Sequence, residues 1–178
     1  MRLLIATVAV AALTSSAISQ QPYAGLQNSP IKTLSDQQVG DLSAGRGMGL
    51  ALAAELNGYP GPIHAIELAE RLSLSPDQVN KLKALFEAMK AETIPLGVTL
   101  ISQERSLNDD FANRTVTVAS LQAATQKIGA TQAALRAAHL KYHLSTVEVL
   151  TSEQVARYNS LRGYKGDEAS THGRHQHQ

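Results

Sequence analysis

The chain contains no cysteine and no tryptophan, only two phenylalanines (Phe86 and Phe111), and almost no net charge. Without cysteine there is no disulfide framework and no thiolate metal site, so stability must come from packing alone. With so few aromatics, a deep aromatic-lined catalytic pocket is a poor fit; alanine and leucine in thin helical layers suit the composition better. Charge of one sign is also missing. Arg2 is the only charged residue before Gln20, and removing it leaves 15 basic against 15 acidic side chains. A balanced chain has no basic excess to drive phosphate-backbone binding, which argues against nucleic acid as a partner.

Long apolar runs are absent except at the start. Arg2 followed by the uncharged stretch Leu3 to Leu13, with Ala17-Ile18-Ser19 behind it, reads as a secretory signal cut after Ser19. The stretch is too short to span a bilayer as a settled helix, and nothing later is apolar enough to do so. The expectation is an exported protein with no membrane span in the mature chain.

Residues 20–33 carry Pro22, Gly25 and Pro30 without helical period and read as a flexible leader. Residues 34–164 form the expected helical domain, and residues 165–178 a polar, disordered tail containing His172, His175 and His177. One local pattern occurs three times: Leu34-Ser35-x-x-Gln38, Leu74-Ser75-x-x-Gln78 and Leu150-Thr151-x-x-Gln154. It is a capping box, in which the hydroxyl accepts from the third backbone amide and the glutamine reaches back to the cap amide. Helices should therefore begin near residues 36, 76 and 152.

The first helix is expected to reach about Asn57 despite Gly40, Gly45, Gly47 and Gly49, each of which costs about 1 kcal/mol against alanine. Such a stretch is either a weak helix held by tertiary contacts or one that admits a second backbone closely. After Gly58 to Pro62, a short helix should run from Ile63 to about Leu72. From residue 76 the apolar spacing of Val79, Leu82, Leu85, Phe86 and Met89 continues through Leu96, Leu100 and Ile101 toward Phe111. Pro95 inside this run should bend the helix rather than end it. A polar turn near residues 108–114 precedes a second long helix from about Val118 to Val149, with Leu121, Ile128, Leu135, Ala138 and Tyr142 on one face. Ala133-Ala134 and Ala137-Ala138 should permit close helix approach. At 1.5 Å per residue each arm is about 50 Å long. The predicted fold is all-α: a long bent antiparallel helical hairpin with extra N-terminal helices and a short C-terminal helix.

Two L-[ST]-x-x-Q motifs, at Leu74, Ser75, Gln78 and at Leu150, Thr151, Gln154, bracket this hairpin over residues 63–162. In an exported, cysteine-free chain that arrangement resembles the Spy/CpxP family of LTxxQ-motif periplasmic proteins. Asn57 to Pro62 with His64, and His139-Leu140-Lys141-Tyr142-His143, resemble the branch described as periplasmic heavy-metal sensors. The resemblance implies a periplasmic helical hairpin that forms a homodimer. It also implies an envelope-stress role, as an ATP-independent chaperone or a stress-sensor accessory. Its partners would be unfolded or misfolded envelope proteins or the periplasmic domain of a sensor kinase, and no cofactor would be required. Relatives of the ZraP and CnrX type imply the alternative, a sensor or scavenger of Zn, Ni, Co or Cu. The neutral charge departs from the strongly basic Spy-like surface.

His139 and His143, at i and i+4, place two imidazoles one turn apart on a helix, a geometry that chelates a divalent transition metal. His64 and Glu67 repeat this at i and i+3, with Glu70 a further oxygen donor on that side. By resemblance to CnrX-type sites, His64 and Glu67 would join His139 and His143; Glu87, across the hairpin, is a weaker candidate. The bland reading is that His139 and His143 share a packing row with Leu135. Leu140, Lys141 and Tyr142 fill the positions between the two histidines, so the general base of an HExxH metalloprotease is missing. Asp109-Asp110 reads as a solvated pair, and Gly45, Gly47 and Gly49 have no preceding strand or following GK[ST] to make a phosphate loop. No nucleophile–base set stands out, and an enzyme is not expected.

Overall fold

The computed structural model describes Tyr23 and residues 25–164. The signal segment read at residues 1–19 and the histidine-containing tail at 165–178 lie outside the described residues.

The described chain is helical, without strands. After a single 3-10 turn at Leu26–Asn28 come α1 (Asp36–Ser43), α2 (Leu52–Glu55), α3 (Pro62–Glu67), α4 (Pro76–Ala112), α5 (Val118–Val149) and α6 (Ser152–Leu161). The long antiparallel pair α4 and α5 forms the predicted hairpin, and α1 and α3 pack against α4. All three expected capping boxes are formed, at Ser35, Ser75 and Thr151. A fourth, Thr117 with Ser120, starts α5. It escapes the sequence pattern because a serine, not a glutamine, returns the bond to the cap amide.

The first helix is a correction. It ends at Ser43, not near Asn57. Gly45 adopts φ +66°, and the Gly45 and Arg46 amides donate back to Leu42 O (3.2 Å) and Asp41 O (2.9 Å). This is the glycine-closed C-terminal motif that satisfies orphan carbonyls. Gly45 also makes room for α4, because a β-carbon there would lie 2.7 Å from Thr93 Oγ1. The glycines therefore end the helix and admit a neighbouring element. The short helix α3 likewise stops earlier than expected, at Glu67 rather than near Leu72. The chain continues through turns, with the Leu72 amide donating to Leu68 O at 2.8 Å.

Pro95 sits inside α4, which runs unbroken to Ala112. Two residues later Gly97 is buried, and a β-carbon on it would meet the backbone oxygen of Leu42 at 2.3 Å. The alanines of α5 do not provide the close approach that their small size predicts. Ala133, Ala134 and Ala137 are exposed and only Ala138 is buried. The approach is instead α1 onto α4 at Gly97. Two apolar clusters hold the layers together. One joins Leu42, Leu100, Ile128 and Leu135; the other joins Ala65, Leu82 and Leu150. Each large buried side chain contributes about 1.5–3 kcal/mol. Phe111 and Leu121, expected on the inner face, are exposed near the hairpin turn.

The segment read as a leader makes specific contacts where it is described. Ile31 is buried, Thr33 Oγ1 donates to Glu104 Oε2 at 2.9 Å, and Asn108 Nδ2 donates to Pro30 O at 3.4 Å.

Candidate functional site

Where the α1–α2 connection crosses α3 and the hairpin, a hollow of about 190 Å³ opens. His64 from α3 and His139 and His143 from α5 all line it, as do Met48, Glu55 and Met89. Three of the four residues singled out from the sequence thus share one cavity. Glu67 does not face it; it holds His64 Nδ1 through Oε2 at 3.0 Å and borders the adjoining hollow with Phe86 and Lys90. Glu70 lies at a separate surface depression. Glu87 is exposed and pairs with Lys90 at 3.6 Å.

His143 is half of a tight fit. Its Nδ1 donates to the carbonyl of Tyr59 at 2.7 Å. The ring packs on Gly61, where a β-carbon would sit 3.0–3.1 Å from Cε1 and Nε2. With Nδ1 donating, Nε2 is the ring nitrogen left to accept. His64 has the same arrangement, its Nδ1 held by the Glu67 carboxylate. A donor nitrogen fixed by an oxygen acceptor is the usual support of a metal-ligating histidine.

His139 is only 2% exposed, and its Nε2 has no hydrogen-bond partner. Burial, aided by the nearby His143, lowers its pKa below the ordinary histidine value. A neutral imidazole with a spare buried nitrogen is costly to keep, because a buried polar atom without a partner loses its hydration uncompensated. That nitrogen is sealed from solvent; the ring edge nearest Gly47, on the wall of the hollow, is Nδ1–Cε1.

Glu55 is the buried carboxyl beside these histidines that sequence reading missed. It is 6% exposed. Oε1 accepts from the Tyr158 hydroxyl and, at 3.2 Å, from the Tyr164 hydroxyl, with Arg162 Nε at 3.6 Å. Oε2 accepts from the Gly61 amide at 3.2 Å and stands 3.7 Å from His143 Nδ1. One carboxyl therefore joins α2, the Gly61 turn, His143 and the C-terminal helix. No local spacing signals this, since its tyrosine partner lies 103 residues away in the chain.

The donors are arranged around a cavity rather than closed on a point. Among the described residues no three His, Asp or Glu side chains form a cluster that could hold a metal ion by themselves. Among the described residues no helix is long and apolar enough to cross a membrane.

The family model described as LTXXQ motif family protein matches residues 62–162, which is more than half of the chain. No curated protein and no solved structure matches it.

Proposed function

Because the chain belongs to the LTXXQ motif family, the Spy/CpxP-type group, we propose that it is an exported envelope protein that binds a transition-metal ion in the hollow between α3 and the hairpin. One observation carries this reading. Three imidazoles line the same hollow, two with Nδ1 held by an oxygen acceptor and the third with its Nδ1–Cε1 edge beside Gly47 on the hollow's wall. Ligand preorganisation of this kind supports metal binding. The metal-binding role joins sensing or scavenging to the envelope setting that the signal segment suggests.

Calorimetric titration with Zn, Ni, Co and Cu tests it, on a full-length mature chain carrying His172→Ala, His175→Ala and His177→Ala so that the tail contributes nothing. One ion should bind per chain, and His139→Ala with His143→Ala should abolish binding. Unchanged affinity in that double variant would overturn the reading.

Client holding is the second reading. It is favoured by apolar side chains at the open end of the hairpin: Phe111 is 55% exposed and Val118 84% exposed. Such a patch suits transient capture of unfolded chains. The purified protein should suppress aggregation of a denatured client, and Phe111→Ser with Val118→Ser should weaken that effect. No suppression by the unmodified protein at stoichiometric excess would dispose of it.

A further inference from the structure

The chain has three methionines, Met1, Met48 and Met89. Met1 lies outside the described residues. The other two come from different elements, and both line the histidine hollow. Met89 is buried on α4, where a thioether is ordinary core filling. Met48 is different. It is 41% exposed and holds φ at +44°, a left-handed conformation that a side chain rarely adopts, between Gly47 and Gly49. Met48 also borders the apolar hollow of Leu42, Leu50, Leu100 and Leu135, so it stands between that cluster and the histidines, and its left-handed backbone sets where its side chain is presented. Gly47 next to it neighbours the His139 ring, where a β-carbon would be in ordinary contact with Nδ1 at 3.7 Å.

The geometry points to a copper(I) site in this hollow, in which the thioethers of Met48 and Met89 join the imidazoles of His139 and His143. This rests on the metal-binding reading above and goes further by naming the ion and two ligands that the histidine spacing does not contain. Thioether sulfur is a soft donor that selects copper(I) over zinc, nickel or cobalt. Zinc generally takes four nitrogen, oxygen or thiolate ligands in a closed tetrahedron, and this chain supplies no thiolate. Glu67, the expected oxygen ligand, is turned away to hold His64. The ion would enter and leave as copper(I), with no change of oxidation state.

The test uses the full mature chain with the three tail histidines changed to alanine, under anaerobic conditions, titrated with copper(I) against a chromophoric copper(I) chelator. One copper(I) should bind per chain, and X-ray absorption should show sulfur as well as nitrogen bonded to the metal. Met48→Leu and Met89→Leu should each weaken copper(I) by roughly tenfold or more, since losing even a residue that only supports a ligand reaches that size, while zinc(II) affinity stays unchanged. Met48 is exposed, so Met48→Leu remains informative even where Met89→Leu disturbs the fold. Copper(I) affinity unchanged in Met48→Leu, with no sulfur in the absorption spectrum, would overturn the proposal. If zinc(II), nickel(II) or cobalt(II) binding were then still lost in His139→Ala with His143→Ala, the metal-binding reading would survive its failure. If no ion bound at all, both would fall.

Discussion

Gln78 and Gln154 face each other as a reciprocal amide pair. Gln78 Nε2 donates to Gln154 Oε1 at 2.8 Å, and Gln154 Nε2 donates back to Gln78 Oε1 at 3.1 Å. Each carbonyl also accepts from its own cap amide, Ser75 or Thr151. The remaining amide hydrogens go to Val149 O at 2.9 Å and Leu72 O at 3.4 Å. Both side chains are thus saturated, and two helix starts are clasped across the molecule. A glutamate would cap a helix equally well, but it could not donate. Gln78→Glu should therefore cost about 1–3 kcal/mol, by leaving part-buried acceptors facing a carboxylate. Gln38→Glu, in the exposed motif that makes no such pair, should stay within about 0.5 kcal/mol. Urea unfolding of the two variants separates capping from clasping; equal losses would show that the clasp contributes nothing.

The contact of α1 with α4 depends on a missing side chain. A β-carbon at Gly97 would lie 2.3 Å from Leu42 O, a backbone atom that cannot swing aside. Gly97→Ala should destabilise the protein by about 1–3 kcal/mol, the usual cost of overpacking, although alanine is the better helix former. Thermal unfolding would check the direction: a stabilised variant would mean that α1 does not sit on α4 in solution.

Tyr158 is fully buried and its hydroxyl donates to Glu55. Burial, and then the Glu55 carboxyl, push its pKa far above the ordinary tyrosine value of 10.0. In the unfolded chain the phenol ionises near that value, so the folded state holds the extra proton above it. Stability should fall as pH rises beyond about 10. Tyr158→Phe should flatten this alkaline loss and cost about 1–3 kcal/mol at neutral pH, because Glu55 loses a donor. Denaturation curves at pH 7 and above 10 would read both effects.

His139 sets the acid side. Its pKa in the fold lies below the ordinary 6.5, first through burial and then through His143. The unfolded chain therefore binds the proton more readily than the fold does. Stability of the metal-free protein should drop as pH falls below about 6.5 and level off once the folded imidazole also protonates. His139→Leu should remove much of that slope. Melting temperatures in the presence of a chelator between pH 7 and 4.5 would show it; identical slopes would mean that His139 is hydrated.

Helix starts were legible in the amino-acid order alone. Ser35, Ser75 and Thr151 with their glutamines are local signals, because a cap and its partner are three residues apart and need no other part of the chain. The hairpin followed from apolar periodicity, and His139 and His143 from a spacing that one helix turn makes meaningful. The end of α1 is encoded at Gly45 but masked by its glycine neighbours, whose weak propensity tertiary packing can override. The site was legible only in part. Glu55 carries no distinctive local pattern, and it reaches His143 only because the Gly61 turn seats on that ring. The same holds for Gln78 and Gln154. Local spacing makes each glutamine a cap, and only the folding of α4 and α6 onto each other turns two caps into a clasp. Contacts between residues distant in the chain depend on how whole helices pack, and no short window of residues contains that information.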